Sequence, residues 1–342
     1  MRQGNNISKD VLLKLTPCMH RVIIPLYIPE ETEYYKDSFD VFSMCLESLH
    51  KTSYTTLKIS VVSNGCSAGI NSKLLELQQQ GLIDELIIER EAIGKINSLL
   101  KVLRTVEEPF ITITDGDVLF LNGWEDKVFE VFEAFPKAGM VSPVPVFRTH
   151  FRLTSNIWVR YLFNKRLYFR EVKNQNALTK FANSIGWSRL DEKWKETILT
   201  LQGKQDVTAV VGCSHFVGTY KRDIFKYLPK VNSNYKLGGN SEFLYTDKPV
   251  IDAGGYRLAT YDNYAYHMGN TIESWMLETY NALDIIEHKM PLKNNNDFLL
   301  KDNLIMKLAR FLFEKLLYFK PFKRYLLKKK GLTTKQIENF IS

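Results

Sequence analysis

The chain has few cysteines. Cys18, Cys45, Cys66 and Cys213 stand far apart among 342 residues, and none belongs to a Cys-x-x-Cys pair. That argues against both a zinc ribbon and a disulfide framework, and fits a reducing compartment. No uncharged apolar run reaches the roughly 18 residues that a membrane-spanning helix requires. Met1 to Lys14 mixes Asn, Ser and Asp among its apolar residues and lacks the continuous core of a secretory signal, so a cytoplasmic location is expected. Internal repeats and low-complexity segments are also missing.

Charge is unevenly placed. Lys+Arg total 46 and Asp+Glu 38, for a net charge of +8. Lys301 to Lys330 holds ten of the bases against only Asp302 and Glu314, so this segment carries the whole excess and the remainder balances at 36 of each sign. Leu304, Leu308, Phe311, Leu312, Lys315, Phe319 and Phe322 recur there near helical spacing. The pattern suits a helix lying on the inner face of an anionic membrane, or an ordinary C-terminal helix packed on the fold. No nucleic-acid-binding motif accompanies it.

What the chain does have is an alternation of short apolar runs and amphipathic stretches. Strands are expected at Arg21–Tyr27, Leu57–Ser63, Leu86–Glu89, Phe110–Asp117 and Gly139–Pro143. Helices are expected at Tyr35–Lys51, Ile70–Gln80, Gly94–Val106 and Trp124–Phe135. Such alternation marks a largely parallel, helix-covered α/β sheet. Phe147 to Gly203 reads as helices and loops, Val207–Val217 as one further strand, Tyr220–Leu228 as a helix, and Glu273 onward as helical with an interruption at Pro291 and Lys293–Asp297.

The run Phe110-Ile111-Thr112-Ile113-Thr114 ends abruptly in Asp115-Gly116-Asp117. Two carboxylates delivered to a sheet edge are costly unless a cation faces them, and a divalent ion carrying a diphosphate is a common answer. Taken alone, a solvated acidic turn explains the tripeptide as well.

The surrounding pieces make the chain resemble the inverting glycosyltransferases of family 2, whose fold is GT-A. Val22–Tyr27 looks like the opening strand with its Pro-x-Tyr, and Val61–Ser67 like the second-strand loop that reads the nucleobase. Gly94-Lys95-Ile96-Asn97 is similar to the helix start after the third strand, and Asp115-Gly116-Asp117 to the Asp-x-Asp motif. Gly139–Pro143, Val211-Gly212 with Phe225, and Gly255–Leu258 leading to Tyr266–Asn270 follow in the family's order.

By this resemblance, residues 21–270 form a Rossmann-like GT-A domain, 21–145 for the nucleotide sugar and 146–270 for the acceptor. Residues 1–20 precede it and 271–342 are a basic helical extension. Asp117 is implied to bind Mn²⁺ or Mg²⁺, with His267 as a further ligand or else a core histidine, and Asp115 to hold ribose hydroxyls or a metal-bound water. Pro25, Tyr27, Asn64, Gly94 and Lys95 would line the donor site. Where the family often has a base-contacting Asp, this chain has Ser63-Asn64; Asn both donates and accepts. The catalytic base is expected to be Glu242, which follows Gly238-Gly239 closely, with Asp247 as the second candidate.

Phe147–Gly203, with Arg148, Trp158, Arg160, Trp187 and Trp194, is either an acceptor lid or packing. The expected activity is transfer of a sugar from a nucleotide diphosphate to a glycan or lipid-linked acceptor in bacterial surface polysaccharide synthesis. A sugar-nucleotide nucleotidyltransferase is the enzymatic alternative, but the loop Pro25-Leu26-Tyr27-Ile28-Pro29 lacks the glycines such an enzyme needs. A non-catalytic nucleotide-sugar-binding protein of the same fold is the third reading.

Overall fold

The computed structural model describes residues 3–5, 7–9, 11–12, 18–187, 189–287, 289–290, 299 and 301–341. The strands are β1 (His20–Leu26), β2 (Leu57–Asn64), β3 (Glu85–Glu89), β4 (Phe110–Thr114), β5 (Val118–Phe120), β6 (Ala138–Ser142), β7 (Leu167–Glu171), β8 (Thr197–Gln202), β9 (Thr208–Val211), β10 (Val217–Lys221), β11 (Tyr256–Thr260) and β12 (Ala265–His267). Ten of them form one sheet in the order β3-β2-β1-β4-β10-β6-β11-β9-β8-β7, while β5 and β12 pair separately. The expected α/β class holds. Strands β3, β2, β1 and β4 are mutually parallel, β6, β8 and β11 share their direction, and β7, β9 and β10 run against it.

Side-chain alternation explains the layers. On β1, Val22 and Ile24 enter one apolar cluster with Phe42, Leu46 and Ile59. Ile23 points to the other, joining Val62, Leu99, Ile111 and Ile113. All are buried, as a parallel sheet covered on both faces requires. The helices Ser38–Thr52, Ala68–Gln79 and Lys95–Leu103 provide the crossovers between successive parallel strands. The helix Trp124–Ala134 is pinned by its buried Glu125, which accepts from His20 at 2.6 Å and from the amides of Tyr54 and Thr55 at 2.9 Å each.

Three expectations need correction. Phe147–Gly203 does contain strands, β7 and β8, paired antiparallel at the sheet edge. Their interleaved Tyr, Arg, Glu and Thr disguised the alternation. Val207–Val217 is two strands, not one. Gly212, at φ +86°, turns the chain out of β9, and β10 begins afresh at Val217 between β4 and β6, far from β9 in the sheet. Tyr220–Leu228 is the end of β10 followed by a 3₁₀ turn over Arg222–Tyr227. Beyond Glu273 the chain is helical at Ser274–Asn281, Leu304–Leu316, Lys320–Lys329 and Thr334–Ile341. The interruption expected at Pro291 and Lys293–Asp297 lies outside the described residues.

Candidate active site

The carboxyl ends of parallel strands are where open α/β sheets bind ligands. Here Pro25 lies near the end of β1 and Tyr27 just past it, Asn64 ends β2 and Asp115 follows β4. These residues line a cleft of about 320 Å³ and an adjoining one of about 290 Å³ that share Pro25, Tyr27 and Lys95. Tyr27 sits edge-on to Tyr35 at 6.0 Å, and Tyr34 edge-on to Tyr35 at 5.0 Å, giving the mouth an aromatic rim.

Asp117 and His267 meet because β5 and β12 pair. His267 lies opposite Val118, and the amide of Met268 donates to the Asp117 carbonyl at 2.7 Å. His267 Nε2 is 3.4 Å from Asp117 Oδ2, and with Asp115 these groups offer ligand atoms all within 4.8 Å of one another. Asp117 Oδ1 and His267 Nδ1 are buried and have no hydrogen-bond partner among the described residues. Burial pushes the Asp117 carboxyl up to about 6, with the His267 ring opposing the rise and the Asp115 charge adding to it. A cluster of two carboxylates and an imidazole with an orphaned buried oxygen fits a divalent cation, with Asp115, Asp117 and His267 as the residues to hold it.

Gly94 opens the helix Lys95–Leu103 at φ +98°. A Cβ there would meet the Lys236 backbone at 2.8 Å. The Lys95 amide donates to Lys236 O at 3.1 Å, so the lysine is anchored at its backbone and its ammonium lies between two acids. Nζ is 2.5 Å from Asp115 Oδ1 and 3.0 Å from Glu242 Oε1. Burial pulls this ammonium down, but the attraction of Asp115 and Glu242 outweighs it and holds the group well above its ordinary value.

Glu242 begins a π-type turn, Phe243–Asp247, closed by the Lys248 amide donating to Phe243 O. That wide turn brings residues five apart to one side, and both Glu242 and Asp247 face His215. His215 Nε2 is 3.3 Å from Glu242 and Nδ1 3.3 Å from Asp247. Asp247 is wholly buried, its other oxygen 2.7 Å from Arg257 Nη2, which also donates to Cys213 O at 2.8 Å. The ion pairs therefore form one chain, Asp115–Lys95–Glu242–His215–Asp247–Arg257. Against the downward pull of burial, Asp247 and Glu242 raise the His215 imidazole to about 9. The His215 hydrogen bond in turn brings the Glu242 carboxyl down to about 2; burial opposes the shift and Lys95 adds to it.

One expected site residue, Asn64, and its motif neighbour Asn97 have other engagements. Asn64 Oδ1 accepts from the amides of Ile93 at 2.8 Å and Gly94 at 3.1 Å, which leaves its amide hydrogens for a ligand. Asn97 bonds Ile93 O at 2.9 Å and Ser233 O at 3.0 Å, tying its helix to the 233–236 loop. Of the 147–203 residues, Trp158 is fully buried and stacked on Phe313 at 5.9 Å, which is packing.

His215 was missed by the sequence. It precedes β10, and because Val217 pairs with Thr114, the approach to β10 lies beside the exit of β4. The Asp115 amide donates to Phe216 O at 2.8 Å. The signal was the polar break Gly212-Cys213-Ser214-His215 within an apolar run.

No protein-family model matches the chain, and no curated protein does. Among solved structures, residues 1–349 of Staphylococcus aureus TarS match at 14% identity and a TM-score of 0.41, over 73% of this chain and 60% of that one. The same segment in complex with UDP-GlcNAc matches at 14% and 0.42, over 78% and 62%. The mannosyltransferase PcManGT from Pyrobaculum calidifontis, in complex with GDP-Man and Mn²⁺, matches at 16% and 0.41, over 94% and 78%. This chain thus spans less than two thirds of the TarS segment. Likeness at this level does not bear on activity.

Proposed function

We propose that the chain is a metal-dependent, inverting glycosyltransferase that moves a sugar from a nucleotide-diphosphate donor to a glycan or lipid-linked acceptor in bacterial surface polysaccharide synthesis. The observation that carries this reading is the adjacency, at the carboxyl edge of the parallel strands, of the Asp115, Asp117 and His267 cluster to Glu242, joined through Lys95. In this reading residues 21–145 serve the donor, 146–270 the acceptor, and 271–342 extend the domain.

Pro25 and Tyr27, with the rim tyrosines, flank the nucleoside, and Asn64 contributes its amide. Asp117 and His267 hold Mn²⁺ or Mg²⁺, with Asp115 beside them. When bound, the ion neutralises charge that develops on the departing diphosphate. Lys95 faces the same phosphates as a point charge. Glu242 takes the acceptor hydroxyl's proton as that oxygen bonds to the anomeric carbon and the bond to the diphosphate breaks, releasing the nucleoside diphosphate. In the resting site Glu242 is ionised, its charge favoured first by the His215 hydrogen bond and then by Lys95. Asp247 is a positioning residue, since it is buried behind His215 and does not reach the cleft.

The test is nucleotide release from a panel of UDP-, GDP- and dTDP-sugars with Mn²⁺ or Mg²⁺, in the parent and in Glu242→Gln. The reading expects metal-dependent release of one nucleotide by the parent. It expects Glu242→Gln to lower turnover about 100-fold or more while donor affinity stays within a few-fold. Equal turnover in the two proteins would remove Glu242 from the chemistry, and tight metal-dependent binding with no release of any nucleotide would favour a non-catalytic binding protein.

A further inference from the structure

The helix Leu304–Leu316 turns its longer apolar face away from the body of the protein. Its inner side is short: Phe313 is buried and stacked on Trp158, and Arg310 donates to Ser155 at 3.3 Å and to Asp302 at 3.2 Å. The opposite side presents Leu304, Ile305, Leu308, Phe311, Leu312 and Leu316, between 82% exposed at Leu304 and 46% at Leu316. The spacing of these positions is that of a single helical face, and the stripe runs on to Phe319, 60% exposed. Among the described residues nothing covers it. A contiguous apolar surface of this kind marks an interaction site.

Its surroundings are basic. Lys307, Lys315, Lys320, Lys328 and Lys329 are all exposed, and Lys315 and Lys329 lie over the rings of Phe311 and Phe163 at 5.5 and 4.4 Å. Both acids between residues 301 and 330 already have partners, Asp302 in Arg310 of this helix and in Lys137, and Glu314 in Ser155 at 2.6 Å. The face is thus an aliphatic and aromatic stripe with Lys307 and Lys315 on the same helix and Lys320 just beyond it, in a segment of net charge +8.

We propose that this face docks on an anionic lipid bilayer, with the stripe at the boundary between headgroups and acyl chains and the lysines among the phosphates. A second copy is a poor occupant, since it would set two segments of +8 each against one another. A lipid surface takes both components together, because lysine stems lie along apolar surface while their ammonium groups reach the phosphates. The inference goes beyond the donor chemistry and does not depend on it.

Sedimentation of the full chain with vesicles tests it. Binding is expected to vesicles of phosphatidylcholine containing about 30% phosphatidylglycerol, to weaken at least about tenfold on phosphatidylcholine alone, and to fade with added salt. Leu308→Glu with Phe311→Glu should abolish binding while leaving the unfolding midpoint and nucleotide release in free solution unchanged, since both side chains are more than half exposed. Lys315→Gln with Lys320→Gln should weaken binding to the anionic vesicles by about 25-fold, from roughly fivefold per charge. Binding of the glutamate variant equal to the parent overturns the proposal. So does a parent that stays in the supernatant with both vesicles, whether it is a monomer by light scattering or a dimer that the glutamate variant dissociates. Loss of nucleotide release with vesicle binding intact would instead count against the donor reading alone.

Discussion

His215→Gln isolates the ion-pair chain that links Asp115 and Lys95 to the buried Arg257. The imidazole ordinarily titrates at 6.5, and here it is held to about 9 by Asp247 and Glu242. A histidine whose folded value is raised contributes stability that is fully present below 6.5 and is lost as pH climbs through about 9. The difference between 6.5 and about 9 corresponds to roughly 3 kcal/mol. Urea unfolding followed by tryptophan fluorescence, run on parent and variant at pH 6.5 and near pH 10, reads it directly. Titrations elsewhere, such as Lys330, whose burial lowers it to about 8, occur in both proteins and cancel in the difference. The parent's advantage over His215→Gln should shrink by about 3 kcal/mol across that range. If the advantage is the same at both ends to within about 1 kcal/mol, His215 does not carry a proton between its two carboxylates and the reasoning fails.

Asp117→Asn should behave oppositely in stability and function. Burial raises this carboxyl from 3.8 to about 6, so its folded-state ionisation is disfavoured, and at neutral pH the charge costs the metal-free fold about 3 kcal/mol; the asparagine protein should melt higher in chelator, and Mn²⁺ should raise the melting temperature of the parent only. Gly94→Ala places a methyl 2.8 Å from the Lys236 backbone at φ +98° and should cost more than about 1 kcal/mol in urea unfolding. Asp247→Asn leaves the buried Arg257 without its counter-charge and should destabilise by about 3–5 kcal/mol, seen as an earlier denaturation midpoint.

The side of the cleft that holds Asn64, Lys95 and Asp115 was legible because it is built at the ends of strands whose apolar runs are unmistakable. Asp115 follows Phe110–Thr114, and Asn64 ends Leu57–Asn64. Lys95 follows a glycine that only a left-handed backbone explains. Their convergence needs β1, β2 and β4 side by side and parallel, and the alternation of elements implies the parallel direction. The other side was not legible, because it depends on strand β10 inserting antiparallel between β4 and β6, a long-range pairing with no local trace. With β9 and β10 read as one strand, His215 had no reason to approach Glu242. Asp247 shows a further limit: its type and spacing suit a catalytic base, and its burial beside Arg257 has no local trace in the sequence. The outward face of Leu304–Leu316 was visible as helical periodicity, but which side met the protein depended on Trp158, more than a hundred residues away.

The central claim is that Asp117 and its neighbours hold a cation against a nucleotide diphosphate. It is tested most directly by titrating Mn²⁺ with UDP or GDP into the parent and into Asp117→Ala by calorimetry, with nucleotide-sugar hydrolysis measured on the same samples. The account predicts nucleotide binding that requires the metal in the parent, and loss of both binding and hydrolysis by about 100-fold or more in the variant. Metal-independent binding, or equal binding and hydrolysis in the two proteins, would contradict it.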